Sequence, residues 1–448
     1  MRAMFPLLTV LTILGQGVLW ARPTRDDPQI NWQSIDDFAA AHGDLSGQSF
    51  TMIGPWLGQD QALFTNVLDV FEEATGAQVI YSGSDSLEQQ VIIDTEAGSP
   101  PDIAIIPQPG LAADLADKGH LRPLGDETAQ WLRDNYAAGE SWVALGTYRG
   151  RDGVPALYAF PYKAELKSLV WYVPENLSDA GYEVPQTYED LKALTEQIAA
   201  DGETPWCIGL ASGGATGWPG TDWVEDLMLR TYPASDYDAW VRHDLPFNDP
   251  KIVAAIQEFG WFARNDAFVA GGAASVGSTD FRDSVKGLFA SPPACYLHHQ
   301  ASFIPSFFPE DVQIGVDADF FYFPARADGK LGQPVMGSGT MFAALSDNSA
   351  ASAFLDFLKT PAAHEIWMTQ RSFLTPHKGV NPDAYGDDTL RRMGAILQDA
   401  TVFRFDGSDL MPGAIGAGAF WQGVVDFAGG ASAQSVADAI QARWDALE

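Results

Sequence analysis

Several tryptophans stand in loop-forming stretches next to glycine, proline or threonine. They are Trp56, Trp218 and Trp223. Hydrogen-bonding side chains accompany them, among them Gln59, Asp85 and Gln108. The apolar face of a sugar ring packs against an indole, while carboxylates and amides bind its hydroxyl groups. These residue types favour binding of an uncharged, hydroxyl-rich ligand, and an ordinary core position is the alternative for each tryptophan.

Signatures of covalent catalysis are absent from the sequence. There is no Gly-x-Ser-x-Gly motif and no P-loop, and Gly416-x-Gly418 continues to Trp421 where a dinucleotide motif needs its third glycine. A glycosidase needs two carboxylates about 5–10 Å apart. Such a pair cannot be picked out among 59 acidic residues. A secreted glycoside hydrolase therefore stays an alternative to a binding protein.

The charge balance excludes two classes of partner. In 448 residues, 26 Lys and Arg stand against 59 Asp and Glu, a formal net charge of −33 at pH 7. A surface this acidic repels nucleic-acid phosphates and anionic lipids, so neither is expected as a partner. The length suggests two or three domains. The net charge also favours a soluble monomer.

The N-terminus has the pattern of an export signal, predicted over residues 1–21. Arg2 precedes a largely uncharged stretch, residues 4–20, with leucine, isoleucine and valine at its centre. A buried core helix is the alternative interpretation. Cleavage after Ala21 or Gly17 would leave a soluble protein outside the cytoplasm.

The chain has two cysteines, Cys207 and Cys295. In an oxidising compartment an even pair usually forms a disulfide, worth about 4–5 kcal/mol for a loop of this length. A metal site with His298 and His299 is the competing hypothesis. Adjacent histidines on an extended segment point to opposite faces, which favours the disulfide. No metal ion or cofactor is expected.

The region after residue 48 alternates short apolar runs with amphipathic stretches. Strands are predicted over 49–53, 78–81 and 102–106, and helices over 61–75, 87–96 and 111–118. This order implies a parallel sheet with right-handed crossovers. Ligands bind at the carboxyl ends of such strands, where Trp56, Gln59, Asp85 and Gln108 stand. The three loops there carry no Lys or Arg.

A second unit begins near residue 162. Strands are predicted over 169–172 and 319–324, and helices over 187–200, 222–232, 250–265 and 349–358. Residues 337–345 stand between the last strand and the last helix. Turns rich in glycine, proline and tryptophan separate them. No internal repeat and no long flexible linker is present.

The order of these segments resembles the extracellular solute-binding proteins of sugar ABC transporters. Residues 71–76, 98–103, Glu165, 411–412, 420–421 and 429–430 carry the resemblance. Longer strings at 205–209, 216–219 and 292–295 are similar to the alpha-glucoside-binding branch, relatives of maltose-binding protein. The resemblance covers nearly the whole chain after the export segment.

The resemblance implies an α/β fold of two lobes, each a largely parallel sheet flanked by helices, joined by about three hinge crossings. Lobe one would take residues 47–161 and 324–370, and lobe two residues 162–323 and 371–448. Ligand contacts implied by position are Trp56, Gln59, Asp85, Gln108, Glu165, Trp218, Asp222, His299, Gly337, Arg371 and Trp421. Gln59 and Asp60 replace the acidic–basic pair of maltose-binding protein.

The predicted function is capture of an alpha-linked glucoside in the periplasm and its delivery to permease subunits in the inner membrane. No covalent step is expected, so the protein is not predicted to be an enzyme. A binder of another solute stays an alternative: a polyol, a glycerol phosphate or a polyamine. A phosphate ligand would need several converging cations, and the mapped positions offer chiefly Arg371 and Lys163.

Overall fold

The computed structural model describes residues 22–137, 139–370, 373–399 and 402–447. The predicted export segment, residues 1–21, and Arg371 lie outside these ranges. The strands are β1 (Ser49–Gly54), β2 (Gln78–Gly83), β3 (Ile103–Ile106), β4 (Thr147–Arg149), β5 (Pro155–Leu157), β6 (Ala159–Leu166), β7 (Leu169–Tyr172), β8 (His298–His299), β9 (Asp319–Tyr322), β10 (Pro334–Ala344) and β11 (Val402–Phe405).

The described residues also form a series of α-helices. They are α1 (Trp32–His42), α2 (Gly58–Thr75), α3 (Leu87–Glu96), α4 (Pro109–Asp117), α5 (Asp126–Asn135), α6 (Gly139–Gly146), α7 (Pro174–Ala180), α8 (Tyr188–Ala200), α9 (Trp218–Thr231), α10 (Ala234–Val241), α11 (Pro250–Ala263), α12 (Phe281–Ser284), α13 (Ser349–Phe357), α14 (Pro361–Met368), α15 (Asp388–Asp399), α16 (Gly407–Leu410), α17 (Trp421–Ala428) and α18 (Ala433–Asp445). Among the described residues, none of these helices combines the length and apolar character needed to cross a membrane.

The larger sheet has the predicted βαβ order at its core. Its strands run β11-β10-β3-β1-β2, and β6 also pairs with β10. Strand β1 pairs in parallel with β2 and β3, as the alternation of strands and helices predicts. All four residues of β3 are buried, which is typical of a strand covered on both faces. Parallel pairing brings the loops after β1, β2 and β3 to one edge of the sheet.

The second sheet differs from the expectation of a largely parallel lobe. Its order is β8-β7-β9, and β7 pairs antiparallel with both neighbours. The prediction of parallel strands is wrong here because no single crossover helix links successive strands. The chain leaves β7 for several helices before it returns at β8. Parallel pairing in this lobe is seen in bridges such as Trp206 with Leu297 and with Val269.

Two long strands carry the chain between the sheets. Strand β6 leads into β7, and β9 leads into β10, while β6 and β10 pair with each other antiparallel. All of their residues are buried. A third crossing is expected at residue 370. Just after it, His377 Nε2 lies 3.2 Å from the Lys359 carbonyl oxygen, and the Asn381 N–H donates to Glu365.

The tryptophans of the second lobe are mostly core residues. Trp223, expected in a loop, lies inside α9 with 2% of its surface exposed. Its ring centroid is 5.1 Å from that of Trp206. The disulfide between Cys207 and Cys295 is confirmed, and both cysteines are buried.

Candidate ligand-binding site

A cavity of about 180 Å³ lies between the loops after β1, β2 and β3 on one side and the first residues of α9 and α17 on the other. Six of the sequence-predicted contact residues line it: Trp56, Asp85, Gln108, Glu165, Trp218 and Trp421. The first three follow β1, β2 and β3, so the parallel sheet brings them together as expected. The other three come from β6 and from the first residues of α9 and α17. At about 10–15 Å³ for each water, the cavity has room for a small solute.

Aromatic rings form much of the cavity wall. Trp218 is half-buried, and its ring meets Phe281 edge to face at 4.9 Å between centroids. The Lys167 ammonium lies 5.3 Å from the Trp218 centroid. Trp56 is 5% exposed, and its ring centroid lies 4.6 Å from that of Phe64. It therefore contributes both to the hydrophobic core and to the cavity wall. The sequence missed Phe281, Phe303 and Phe307, because their long connecting segment gives no periodic signal.

Four buried polar atoms of the cavity wall have no hydrogen-bond partner among the described residues. They are Glu88 Oε2, Gln108 Oε1, Thr340 Oγ1 and Trp421 Nε1. Buried polar groups in folded proteins are almost always paired, with protein, water or ligand. The side chains that carry these atoms line the cavity, although the four atoms themselves have almost no exposed surface in this structure.

Glu88 was missed by the sequence prediction, although it stands in the first turn of α3, just after Asp85. Gln108 Nε2 donates to Glu88 Oε1 at 3.0 Å. Burial raises the pKa of the Glu88 carboxyl, while the hydrogen bonds to it oppose the shift. The sequence signal that could have found Glu88 was its position three residues after the predicted contact Asp85.

Lys163 and Glu165 form a buried ion pair on β6, with Nζ 2.8 Å from Oε1. The Ser302 hydroxyl donates to the other oxygen of Glu165 at 2.8 Å. Asp60, on α2, accepts a hydrogen bond of 2.7 Å from the Ser306 hydroxyl. Burial raises the pKa of both carboxyls, and the charge of Lys163 opposes this. Asp60 lines the cavity, whereas the predicted Gln59 does not.

A second lysine is held by carboxylates behind the wall. Lys167 Nζ lies 2.8 Å from Asp222 Oδ1 and also binds Asp406. Burial alone would lower the pKa of Lys167, but the two carboxylates raise it well above its usual value. Asp222, a predicted contact, is 2% exposed and does not line the cavity. It holds Lys167 in place because helix α9 turns its side chain inward.

His299 and Gly337 also lie outside the cavity lining. His299 Nε2 is 3.0 Å from Asp226 Oδ2, a fully buried pair in the second lobe. A Cβ on Gly337 would lie 2.5 Å from the Phe403 ring and 2.7 Å from the Glu165 carbonyl oxygen. The glycine therefore permits the close approach of β6, β10 and β11.

Each positively charged side chain among the described lining residues is paired with a carboxylate. Besides Lys163 and Lys167, the lining includes Arg282, whose Nε is 2.9 Å from Asp280 Oδ1. Among the described lining residues, each of these cations faces a carboxylate within 3 Å. An anionic solute would have to compete with these carboxylates, whereas a neutral solute with hydroxyl groups would not.

Comparisons with known proteins agree with this geometry. Residues 55–365 match the family model described as bacterial extracellular solute-binding protein. The chain is 65% identical over 424 residues to the "Alpha-glucosides-binding periplasmic protein AglE" of Rhizobium meliloti (strain 1021), covering 94% of this chain and 92% of that protein. It is 40% identical to the "Osmoprotective compounds-binding protein GgtB" of Synechocystis sp. (strain ATCC 27184 / PCC 6803 / Kazusa), over 90% of this chain and 94% of that one.

Solved structures of other proteins share this fold. The bacterial solute receptor AcbH superimposes with a TM-score of 0.75 at 18% identity, covering 90% of this chain and all of that one. At this identity the likeness concerns the fold: two α/β lobes with a cavity between them.

Proposed function

The chain belongs to the bacterial extracellular solute-binding protein family, and we propose that it captures an alpha-linked glucoside between its two lobes for an ABC transporter. The observation that carries this proposal is the cavity wall. It combines the indole of Trp218 with buried unpaired polar atoms of Glu88, Gln108 and Thr340. A sugar satisfies such a wall because each hydroxyl both donates and accepts. The name of the relative AglE supports the choice of an alpha-glucoside.

Binding is proposed to proceed by closure of the lobes without a covalent step. The Ser306 hydroxyl donates to the Asp60 carboxylate across the cleft, which is a contact that closure would favour. A ligand touching both walls stabilises the closed arrangement, and the membrane permease then recognises the apposed lobe faces. The proposed contacts are Trp56, Asp85, Gln108, Glu165, Trp218 and Trp421, joined by Glu88, Thr340 and Asp409.

The periplasm is the proposed location. The relative AglE is named periplasmic, and residues 1–21 have the pattern of an export signal. We propose that the protein works as a monomer, with the inner-membrane permease subunits as its partners.

A calorimetric panel tests the ligand class. We expect maltose, trehalose, sucrose or methyl α-D-glucoside to bind, and to raise unfolding stability by about 2.7 kcal/mol at 100 times the dissociation constant. Glycerol 3-phosphate, spermidine and sorbitol serve as the competing classes. Binding of one of these without any glucoside would contradict the proposal. Turnover of p-nitrophenyl α-D-glucoside would show an enzyme instead.

A further inference from the structure

Helix α9 carries four buried charged side chains on one face. They are Asp222, Glu225, Asp226 and Arg230, and each of them is at most 2% exposed. Their spacing of three and four residues places them on the same side of a helix. Charged side chains are rarely buried to this degree unless they are paired. Several of their partners lie on the segments that join the two sheets.

The first of these segments, between β6 and β7, is bound at two adjacent residues. Lys167 Nζ lies 2.8 Å from Asp222 Oδ1. The Ser168 hydroxyl donates to Asp226 Oδ1 at 2.7 Å. Ser168 is fully buried, and its hydroxyl oxygen also accepts the Met336 N–H of β10 at 2.9 Å. The short turn between β6 and β7 is therefore fastened to α9 by two side-chain contacts.

Two further segments are bound by the same face. In the connection between β9 and β10, the Phe323 carbonyl oxygen accepts from Arg230 Nε and Nη2 at 3.1 and 2.8 Å. After β11, Glu225 accepts from the backbone N–H groups of Gly407 and Ser408 at 2.6 and 2.9 Å. Strand β11 pairs with β10, so this segment also leads away from the larger sheet. One helix face thus binds three segments that join the larger sheet.

The same helix reaches the ligand cavity at its first residue. Trp218 begins α9 and lines the cavity. At 1.5 Å per residue, the helix places Trp218 roughly 18 Å from Arg230 along one axis. The start of α9 is held closely as well, because a Cβ on Gly217 would lie 2.2 Å from the Trp421 carbonyl oxygen. Helix α9 therefore connects the indole to all three segments through one continuous element.

We propose that the charged face of α9, which we name the hinge anchor (Asp222, Glu225, Asp226 and Arg230), makes the three segments move with the second lobe as one unit and thereby positions Trp218 when the lobes close. This inference rests on the lobe closure of the proposed function and goes beyond it, since none of the four residues lines the cavity. Buried ion pairs are costly, and fixing one arrangement against others is a role that explains them.

Distances between spin labels on the two lobes test the anchor without any ligand. Labels are attached at Glu96→Cys, on α3 of the first lobe, and at Ala439→Cys, on α18 of the second. Both positions are exposed. The cysteines of the wild type, Cys207 and Cys295, are held in the disulfide and do not take up the label. Double electron–electron resonance then measures the distribution of inter-lobe distances.

Two variants loosen the anchor at different segments. Ser168→Ala removes the hydroxyl that binds Asp226, and Glu225→Gln replaces one accepting oxygen by an amide NH₂. Neither residue lines the cavity. We expect each variant to broaden the distance distribution of the ligand-free protein, because one segment then bends independently. Maltose affinity, measured by calorimetry, should fall roughly fivefold, the effect of one lost buried hydrogen bond on an equilibrium between two arrangements.

Thr195→Ala is the matched control for a simple loss of stability. Thr195 is fully buried, donates to the Leu191 carbonyl oxygen at 2.9 Å and accepts the Trp206 indole N–H at 3.1 Å. Both bonds lie within the second lobe. This variant should unfold at lower urea concentration and keep the distance distribution and the maltose affinity of the wild type. Urea unfolding also verifies that the other variants are folded, and if Glu225→Gln is not, Ser168→Ala decides alone.

The outcomes separate this inference from the proposed function. Broader distributions in Ser168→Ala and Glu225→Gln, with no change in Thr195→Ala, support the hinge anchor. Wild-type distributions in both variants, or equal broadening in Thr195→Ala, overturn it even if the protein binds glucosides. If the wild type binds no glucoside of the calorimetric panel, the proposed function fails, while the distances in the ligand-free protein still decide the anchor.

Discussion

The backbone N–H of Gly214 donates to the carbonyl oxygen of Asp85 at 3.0 Å. Asp85 follows β2 of the first lobe, and Gly214 precedes α9 of the second, so this bond joins the two rims of the cavity. A Cβ on Gly214 would lie 2.8 Å from the Ser86 hydroxyl oxygen and 3.0 Å from its Cα. The rims approach this closely because no side chain stands between them.

Gly214→Val should hold the rims apart. We expect sugar affinity to fall at least tenfold, because closure around the ligand becomes strained. Small-angle scattering should then show little reduction of the radius of gyration on adding maltose. Gly394→Ala is the control, since a Cβ there meets nothing within 4 Å. Unchanged affinity and compaction in Gly214→Val would contradict a closing role for this contact.

Trp218→Ala should weaken glucoside binding by more than about 1–2 kcal/mol, because the indole supplies stacking area at the cavity. Trp218→Phe should recover part of the loss. Titration calorimetry measures both variants, and urea unfolding verifies that each is folded. If Trp218→Ala binds as tightly as the wild type, the ring serves only to pack against Phe281 and Phe303.

The first lobe could be predicted from sequence because its signals are local. Strand β3 is a short apolar run, and α2 ends at Gly76, which adopts the left-handed conformation with φ of 75°. Since parallel strands end at one edge, Trp56, Asp85 and Gln108 could be placed around one cavity. The pairing of β7 with β9 could not, because about 150 residues separate the two strands.

The orientation of individual side chains could not be predicted from the sequence. Asp222 has the right chemistry for a contact, but α9 is buried along most of its length and turns this carboxylate toward Lys167. A helix buried on several sides shows no clear amphipathic pattern from which to choose a face. Asp409 could not be predicted as a lining residue either. Its position depends on contacts with residues more than 180 positions away, such as Glu225, and the sequence gives no sign of these contacts.

The disulfide should contribute strongly to stability. Cys207 and Cys295 close a loop with a sequence separation of 88. In the chain-entropy model its loss costs about 4–5 kcal/mol. We expect urea unfolding to shift to lower concentration when a reductant is present, with the same shift in the Cys207→Ser, Cys295→Ser double variant. The double variant itself should not respond to reductant. An identical midpoint with and without reductant in the wild type would contradict this prediction.

His298 should make the protein sensitive to mild acid. It is fully buried, and burial, aided by the neighbouring His299, lowers its pKa from 6.5 to about 4. Its Nδ1 lies 2.8 Å from the Cys207 carbonyl oxygen, so the neutral ring donates there. Between these two pKa values the unfolded chain binds a proton that the folded protein does not. The folding stability contributed by the neutral ring is therefore complete above pH 6.5 and falls as the pH drops toward 4.

At about 1.4 kcal/mol for each pH unit, this loss comes to about 3 kcal/mol. Asparagine can replace the donor to Cys207 without titrating, so His298→Asn should flatten the dependence of unfolding free energy on pH in this window. Urea unfolding at several values between pH 7 and 4 measures the slopes. The variant is expected to be less stable than the wild type at pH 7, and this difference should shrink as the pH falls. Parallel slopes would mean that another group controls the acid response.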